Sequence, residues 1–390
     1  MKKKFISALF LGCMMLVPSF AHAETSDAEA TATKTEAKTS WEKFAEKLPK
    51  LSGYLQTGWN YNSLGNGSSS FQAKRLRLIM DGNVHEKISF RLQVEAFNGI
   101  GGSRNPNGQK DLQVMDAFVT AKINEAFQVR AGQYYLPIGY ENYDISPATL
   151  ETVDFSNICY RMVCRNALGY DFVEYGRDLG VMLMGNLFKN EQDNFYRLSY
   201  NLSLSNGHLP AMDDNNKSKD IVASLTFRPI KLLNIKASYA WGEYNGVIDP
   251  EAFGFDGISD DIVLKNQSMH RAILGVWYNN PQGLDVRAEY GHTQSKLNGS
   301  YINKEDSFYT LVGYHLGKFL PVVRYDFFRD KVRDTKSWNY DRFLVGLTYV
   351  PCKHVKLQAN YAYTSYTDKA AKALAEDNSH QIQLMGIFSF

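Results

Sequence analysis

Arg75, Arg77, Arg91, Arg130, Arg197, Arg271, Arg287, Arg324 and Arg342, with Lys236 and Lys356, recur inside stretches that alternate between apolar and polar residues. A guanidinium grips phosphate through two parallel hydrogen bonds. Several bases turned into one aqueous passage favour anions. On one strand face, Arg75 and Arg77 would lie about 6.5–7 Å apart at a rise of about 3.3 Å per residue, close enough to hand an anion along. Hydrolytic chemistry is poorly supplied by comparison. The eight His are scattered and none sits in a nucleophile or zinc motif, so His292 and His315 read as strand residues. No catalytic, cofactor-binding or metal-binding set is assigned. Asp213-Asp214 and Asp256–Asp261 are acidic enough to hold calcium but read as solvated loops.

The elements that must position these bases follow from composition and period. Aromatics make up 13% of the 390 residues, charged residues 22%, and the formal net charge is +2. The first 23 residues hold Lys2, Lys3 and Lys4, an apolar run from Phe5 to Phe20 and the small-residue site Ala21-His22-Ala23, which predicts a cleaved export signal. A lipoprotein site at Leu11-Gly12-Cys13 and a retained anchor are the weaker readings. Without that segment the chain is close to neutral, which argues against nucleic acid as a partner. No later segment approaches the roughly 20 apolar residues of a spanning helix, and the aromatic content excludes disorder. Residues 24–50 read as a flexible periplasmic leader, with a short amphipathic helix possible at Trp41–Leu48. Residues 51–390 read as one domain.

From Leu51 onward the period is two. Leu51, Leu55, Trp59 and Tyr61 oppose Ser52, Gln56 and Asn60; Ile88, Phe90, Leu92 and Val94 oppose Ser89, Arg91, Gln93 and Glu95. Sixteen such strands can be counted, ending in Ile382, Leu384, Phe388 and Phe390; only the fourth, near Leu112–Lys122, is ambiguous in parity. A soluble sandwich also alternates. Here, however, the apolar faces carry no charge, as lipid demands, since a base at the bilayer midplane costs about 2–4 kcal/mol. The connections also alternate: short ones such as Asn83–Lys87 and Pro351–His354, long ones such as Asn98–Lys110, Leu136–Tyr175 and Gln294–Glu305. Tyr and Trp near strand ends (Trp59, Tyr61, Tyr239, Trp241, Tyr349, Tyr363) suit interfacial girdles, and the terminal Phe390 suits an outer-membrane assembly signal. These features predict an all-β, 16-stranded antiparallel transmembrane barrel with short periplasmic turns and long extracellular loops, set in the lipid of a Gram-negative outer membrane.

Sixteen strands leave an aqueous channel. Parity turns the eleven bases inward against Asp81, Glu95, Asp178, Asp285, Glu289 and Asp326, a surplus that predicts passive diffusion of small hydrophilic solutes with a preference for anions. Inward charges that merely pair across strands are the plainer reading for any single residue. The expected constriction is the third loop, with Pro137, Glu141, Cys159, Arg161, Cys164 and Arg165. Its acids (Glu141, Asp144, Glu151, Asp154) outnumber its bases, so it could be anchored to inward arginines by salt bridges. Cys159 and Cys164 could form a local disulfide after export, with zinc as the rival. Cys352 reads as an inert turn residue. A channel of other selectivity, and a barrel whose long loops serve binding or adhesion, are the alternatives.

Arg130-Ala131-Gly132-Gln133 followed by Pro137-Ile138-Gly139-Tyr140-Glu141 resembles the segment entering the constriction loop of the phosphate-selective porin O and P family. Gly176-Arg177-Asp178-Leu179-Gly180-Val181 and Arg324-Tyr325-Asp326 resemble two more of its motifs. The resemblance spans roughly Leu51 to Phe390. It implies a sixteen-stranded homotrimeric channel with a basic lumen that passes phosphate or related anions. The lysine-rich regions of the family's phosphate channels have no obvious lumenal counterpart in this sequence.

Overall fold

A computed structural model describes residues 48–96, 112–163, 176–207, 214, 216–248, 260–332, 339–367 and 378–390. The expectations for residues 1–47, and for Cys164 and Arg165, fall outside these. Sixteen strands form the chain: β1 (Lys50–Asn62), β2 (Ser68–His85), β3 (Ile88–Glu95), β4 (Gln113–Asn124), β5 (Phe127–Tyr135), β6 (Arg177–Asn190), β7 (Phe195–Ser205) and β8 (Asp220–Ile230) come first. Then follow β9 (Leu233–Ile248), β10 (Ile262–Asn279), β11 (Leu284–Leu297), β12 (Ser300–Tyr314), β13 (Phe319–Asp330), β14 (Tyr340–Cys352), β15 (Val355–Tyr366) and β16 (Ser379–Ser389).

Each strand pairs antiparallel with its sequence neighbours, and β1 closes on β16 in a register that includes Leu55↔Phe388 and Trp59↔Leu384. Gly53 and Phe390 exchange backbone hydrogen bonds of 3.2 and 3.1 Å, so the last residue is stitched into the closure. No sheet edge is left for lipid to meet. Outward residues are apolar and exposed, among them Leu78, Val181, Leu225, Leu274, Val323, Val345 and Leu384. Polar and charged residues alternate with them and point inward.

Among the bulges, those in β2 and β4 change which residues face inward. Gln56 pairs with Arg75 but Thr57 pairs with Ala73, so Lys74 is an extra residue and turns inward beside Arg75. In β4, Gln93 pairs with Asp116 and Val94 with Val114. Met115 is the extra residue there, and both it and Asp116 are buried. That explains the mixed parity of this strand.

The periplasmic turns are short, such as residues 86–87, 125–126 and 231–232. One expected long connection is corrected. Gln294–Glu305 is no loop; β11 and β12 continue through it and meet at Asn298-Gly299, whose φ angles of 50° and 86° close a two-residue hairpin. Asn-Gly favours that turn strongly because both positions need positive φ. The flanking strands read as loop because their outward residues there are polar.

Candidate functional site

The third extracellular loop leaves β5 at Leu136 and returns at Gly176, and its described residues 136–163 fold into the barrel. Its Leu136, Ile138, Ile158 and Val163 pack on Val222, Ile273, Tyr309, Leu311 and Leu344 from the inner faces of β8 to β14. Apolar residues on an inner wall would cost free energy against water, and the loop is what covers them. Gly139, at φ 69°, lets the chain reverse into a single helical turn, α1 (Tyr140–Tyr143), and its N–H donates to Ser238 Oγ at 3.3 Å. A π-helical turn, Ile158–Val163, ends the described part of the loop.

Charged groups fix the loop along its length. Lys236 donates to Asp144 at 2.6 Å and to the Gly139 carbonyl at 3.0 Å. Arg287 pairs with Glu151, and Lys74 with Asp154. Arg324 holds Asp326 at 2.8 Å and donates to Thr152 Oγ1 at 3.0 Å and to the carbonyls of Asp154 and Phe155 at 2.8 and 3.3 Å. Lys356 and Gln358 both donate to the Leu150 carbonyl, at 2.8 and 2.9 Å. Arg271 donates to the carbonyl of Val163. Within the loop, the Ser156 N–H donates to Glu141 at 2.5 Å.

Two loop carboxyls respond in opposite directions. Burial penalises the Asp154 carboxylate, but the Lys74 ammonium and the hydrogen bonds from Lys74 and Gln383 outweigh it and hold the group well below the usual range. Burial raises Glu141, with Arg324 and Arg287 opposing only part of the shift. Burial also pushes the Tyr143 hydroxyl up to about 12.

The structure therefore divides the eleven inward bases. Lys236, Arg271, Arg287, Arg324 and Lys356 grip the third loop. Arg75 donates to Gln56 and lies 5.8 Å from the Phe155 ring, while Arg77 pairs with Glu95 at 2.8 Å; both are buried. The remaining four are less covered. Arg91 pairs with Asp81 at 2.7 Å yet keeps 42% of its side chain exposed. Arg130 lies over Phe118 at 4.1 Å and donates to Thr120. Arg197 is exposed and donates to the Pro229 carbonyl, and Arg342 reaches Gln381 at 2.5 Å.

Of the residues expected at the constriction, Pro137, Glu141 and Cys159 are buried in the folded loop. Arg161 lies over the Phe328 ring at 4.7 Å and, with Arg342, lines a cavity of about 200 Å³ at the extracellular end, together with Tyr340, Thr364 and Gln381.

Lys74, Arg228 and Arg177 are further bases that the alternation does not reveal as inward. Lys74 was hidden by its bulge. Arg228 sits beside the turn proline Pro229, yet donates to Ser199 Oγ at 2.7 Å and Asn234 Oδ1 at 2.8 Å inside the barrel. Arg177 is buried against Asp116 at 2.7 Å; its sequence signal was the Gly176-Arg177-Asp178 motif.

The loop's side-chain hydrogen bonds to the wall fall on β2, β6, β7, β9 to β11 and β13 to β16. Among the described residues none falls on β3, β4, β5 or β8, which carry Arg91, Arg130 and Arg228 on their inner faces. A closed barrel narrowed from one side by an inward loop is the geometry of a channel. A family model, phosphate-selective porin O and P, matches residues 52–254. The chain belongs to that family. Solved structures agree at the level of the fold. An anion-selective porin from Comamonas acidovorans aligns with a TM-score of 0.61 and 14% identity, over 88% of this chain and 99% of its own. OmpF of Salmonella typhi, in complex with daunomycin, gives 0.62 and 13%, over 89% and 99%. The outer membrane channel DcaP of Acinetobacter baumannii gives 0.55 and 14%, over 88% and 97%. No curated protein matches the chain in sequence. Family and fold together make this porin O and P member an outer-membrane channel of a Gram-negative bacterium.

Proposed function

We propose that the channel passes small hydrophilic solutes and prefers anions, phosphate among them. The supporting observation is a set of inward bases, Arg91, Arg130, Arg197 and Arg228, that make no hydrogen bond to the described residues of the third loop. Among the described residues, the last three have no carboxylate within ion-pair distance. A guanidinium bonded only to neutral oxygens retains its positive field and its capacity for bidentate anion contact. Phosphate titrated into the chloride bath should reduce single-channel chloride current through the wild type. The paired change Arg130→Gln with Arg228→Gln should weaken that block severalfold. Block that is absent, or unaltered in the pair, contradicts the proposal.

The same reading assigns residues 1–23 to a cleaved export signal, 24–50 to a periplasmic leader and 51–390 to the barrel, which works as a homotrimer. Supporting it are the lysine-rich, apolar N-terminus and the trimer form described for OmpT of Vibrio cholerae, which shares the fold at TM-score 0.54 and 11% identity. Cross-linking of the purified protein should yield a trimer that dissociates on heating; a persistent monomer contradicts it.

A further inference from the structure

The outer face of β11 to β14 is apolar up to an aromatic row and then changes abruptly. Phe308 and Phe327 stack with centroids 5.7 Å apart, and Tyr325 meets Phe343 at 5.0 Å. Two residues further toward the extracellular end, about 6.6 Å along the strand, the outward positions become ionic. His292 pairs with Asp306 at 2.6 Å, and Asp306 faces Arg329 across β12 and β13. Arg329 in turn bonds Asp341 at 2.8 Å. Lys331 also bonds Asp306. Above them, Lys296 and Lys304 each hold their ammonium 4.4 Å from the Tyr301 ring, with no carboxylate partner among the described residues.

Lys304 and Lys331 are neighbours, since the Lys331 N–H donates to the Lys304 carbonyl at 2.9 Å. Lys296, Lys304, Arg329 and Lys331 thus exceed Asp306 and Asp341 by two charges, before His292 is counted. Lys296 and Lys304 stand on the extended β11–β12 hairpin, with Arg329 near the end of β13 and Lys331 next after it, just above the aromatic row that marks the edge of the hydrocarbon. At the corresponding height, β9–β10 and β15–β16 carry Tyr–His pairs instead, Tyr239–His270 at 2.6 Å and Tyr361–His380 at 2.8 Å.

We propose that this outward patch docks the phosphate-bearing headgroup of an outer-leaflet lipid. The acyl chains lie along the apolar face below, and Lys296, Lys304 and Lys331 meet the phosphates. Arg329 and His292, held by Asp341 and Asp306, fix the patch's shape. A solute phosphate would gain only the charge contacts, whereas a lipid gains the aromatic face as well.

The test is native mass spectrometry of the full barrel, released from detergent, with diphosphorylated lipid A as the probe. Bound lipid should be retained by the wild type, and Lys304→Gln with Lys331→Gln should weaken it at least tenfold. Asp306→Asn with Asp341→Asn should strengthen it, an opposite sign that misfolding would not produce. Heat-modifiability and chloride conductance should be unchanged in the lysine pair, which keeps this result separate from the selectivity reading. Equal retention of phosphate-free lipid A, displacement by inorganic phosphate at the same concentration, or indifference to both pairs of substitutions would overturn the proposal.

Discussion

Asp154 and Lys74 meet where their side chains are only 15% and 14% exposed. Removing the ammonium leaves a carboxylate buried without its cation, which costs about 3–5 kcal/mol where an ion pair is buried. Lys74→Met should therefore loosen the third loop, seen as raised conductance and open-channel noise. The acid dependence has a definite sign. Asp154 has a depressed folded pKa, so its contribution is fully present above the unfolded value near 3.9. It is lost only as pH falls through the lower folded value. Channel noise should stay flat from pH 7 to about 4 and rise only in stronger acid; a rise at pH 5–6 contradicts this role. Glu141 has the opposite sign, since its raised pKa disfavours the ionised loop above the ordinary carboxyl range. Glu141→Gln should leave the loop as tightly held as before or more so. Period two told which face Arg75, Arg287 and Arg324 occupy. It could not tell that a distant loop would cover them, because burial by a loop leaves no periodic mark.

Strand parity was the most legible feature of the sequence, because lipid permits so few charges on one face. Leu225 is 54% exposed on the outer face, whereas Arg197 is turned inward. Leu225→Arg should impair assembly, costing about 2–4 kcal/mol if it lies near the midplane, while Arg197→Gln should assemble normally. Heat-modifiable migration on gels distinguishes the two, and equal assembly contradicts the parity. The bulges at Lys74 and Met115 were not legible, since one extra residue looks like noise in a short alternation. The Asn298-Gly299 hairpin was legible in principle from its dipeptide but masked by polar flanks. The third loop was recognisable by length and prolines, and its acids did suggest an anchor. Which strands it would bridge depends on pairings as far as 208 residues apart, such as Leu150 with Gln358. Deleting Asn157–Arg165 removes contacts to Tyr340 and the Phe328 ring and should raise conductance; no change would place the loop away from the narrowest passage.

At the scale of the molecule, closure of β1 on β16 gives a wall without edges, and the loop makes that wall asymmetric. On one side the loop's described residues form a packed core of apolar groups and ion pairs with the wall; Arg91, Arg130, Arg197 and Arg228 lie where none of those loop residues bonds them. In the proposed reading, the charge of these four arginines decides which ions pass. Its influence should fall with salt, because the screening length drops from about 10 Å at 0.1 M to about 3 Å at 1 M. The zero-current potential in a KCl gradient tests this most directly. Wild-type channels should show chloride preference, stronger at low salt, and Arg130→Glu with Arg228→Glu should reduce or reverse it. A cation-preferring wild type, or a preference indifferent to that pair, would contradict the account and make the acidic third loop the dominant filter.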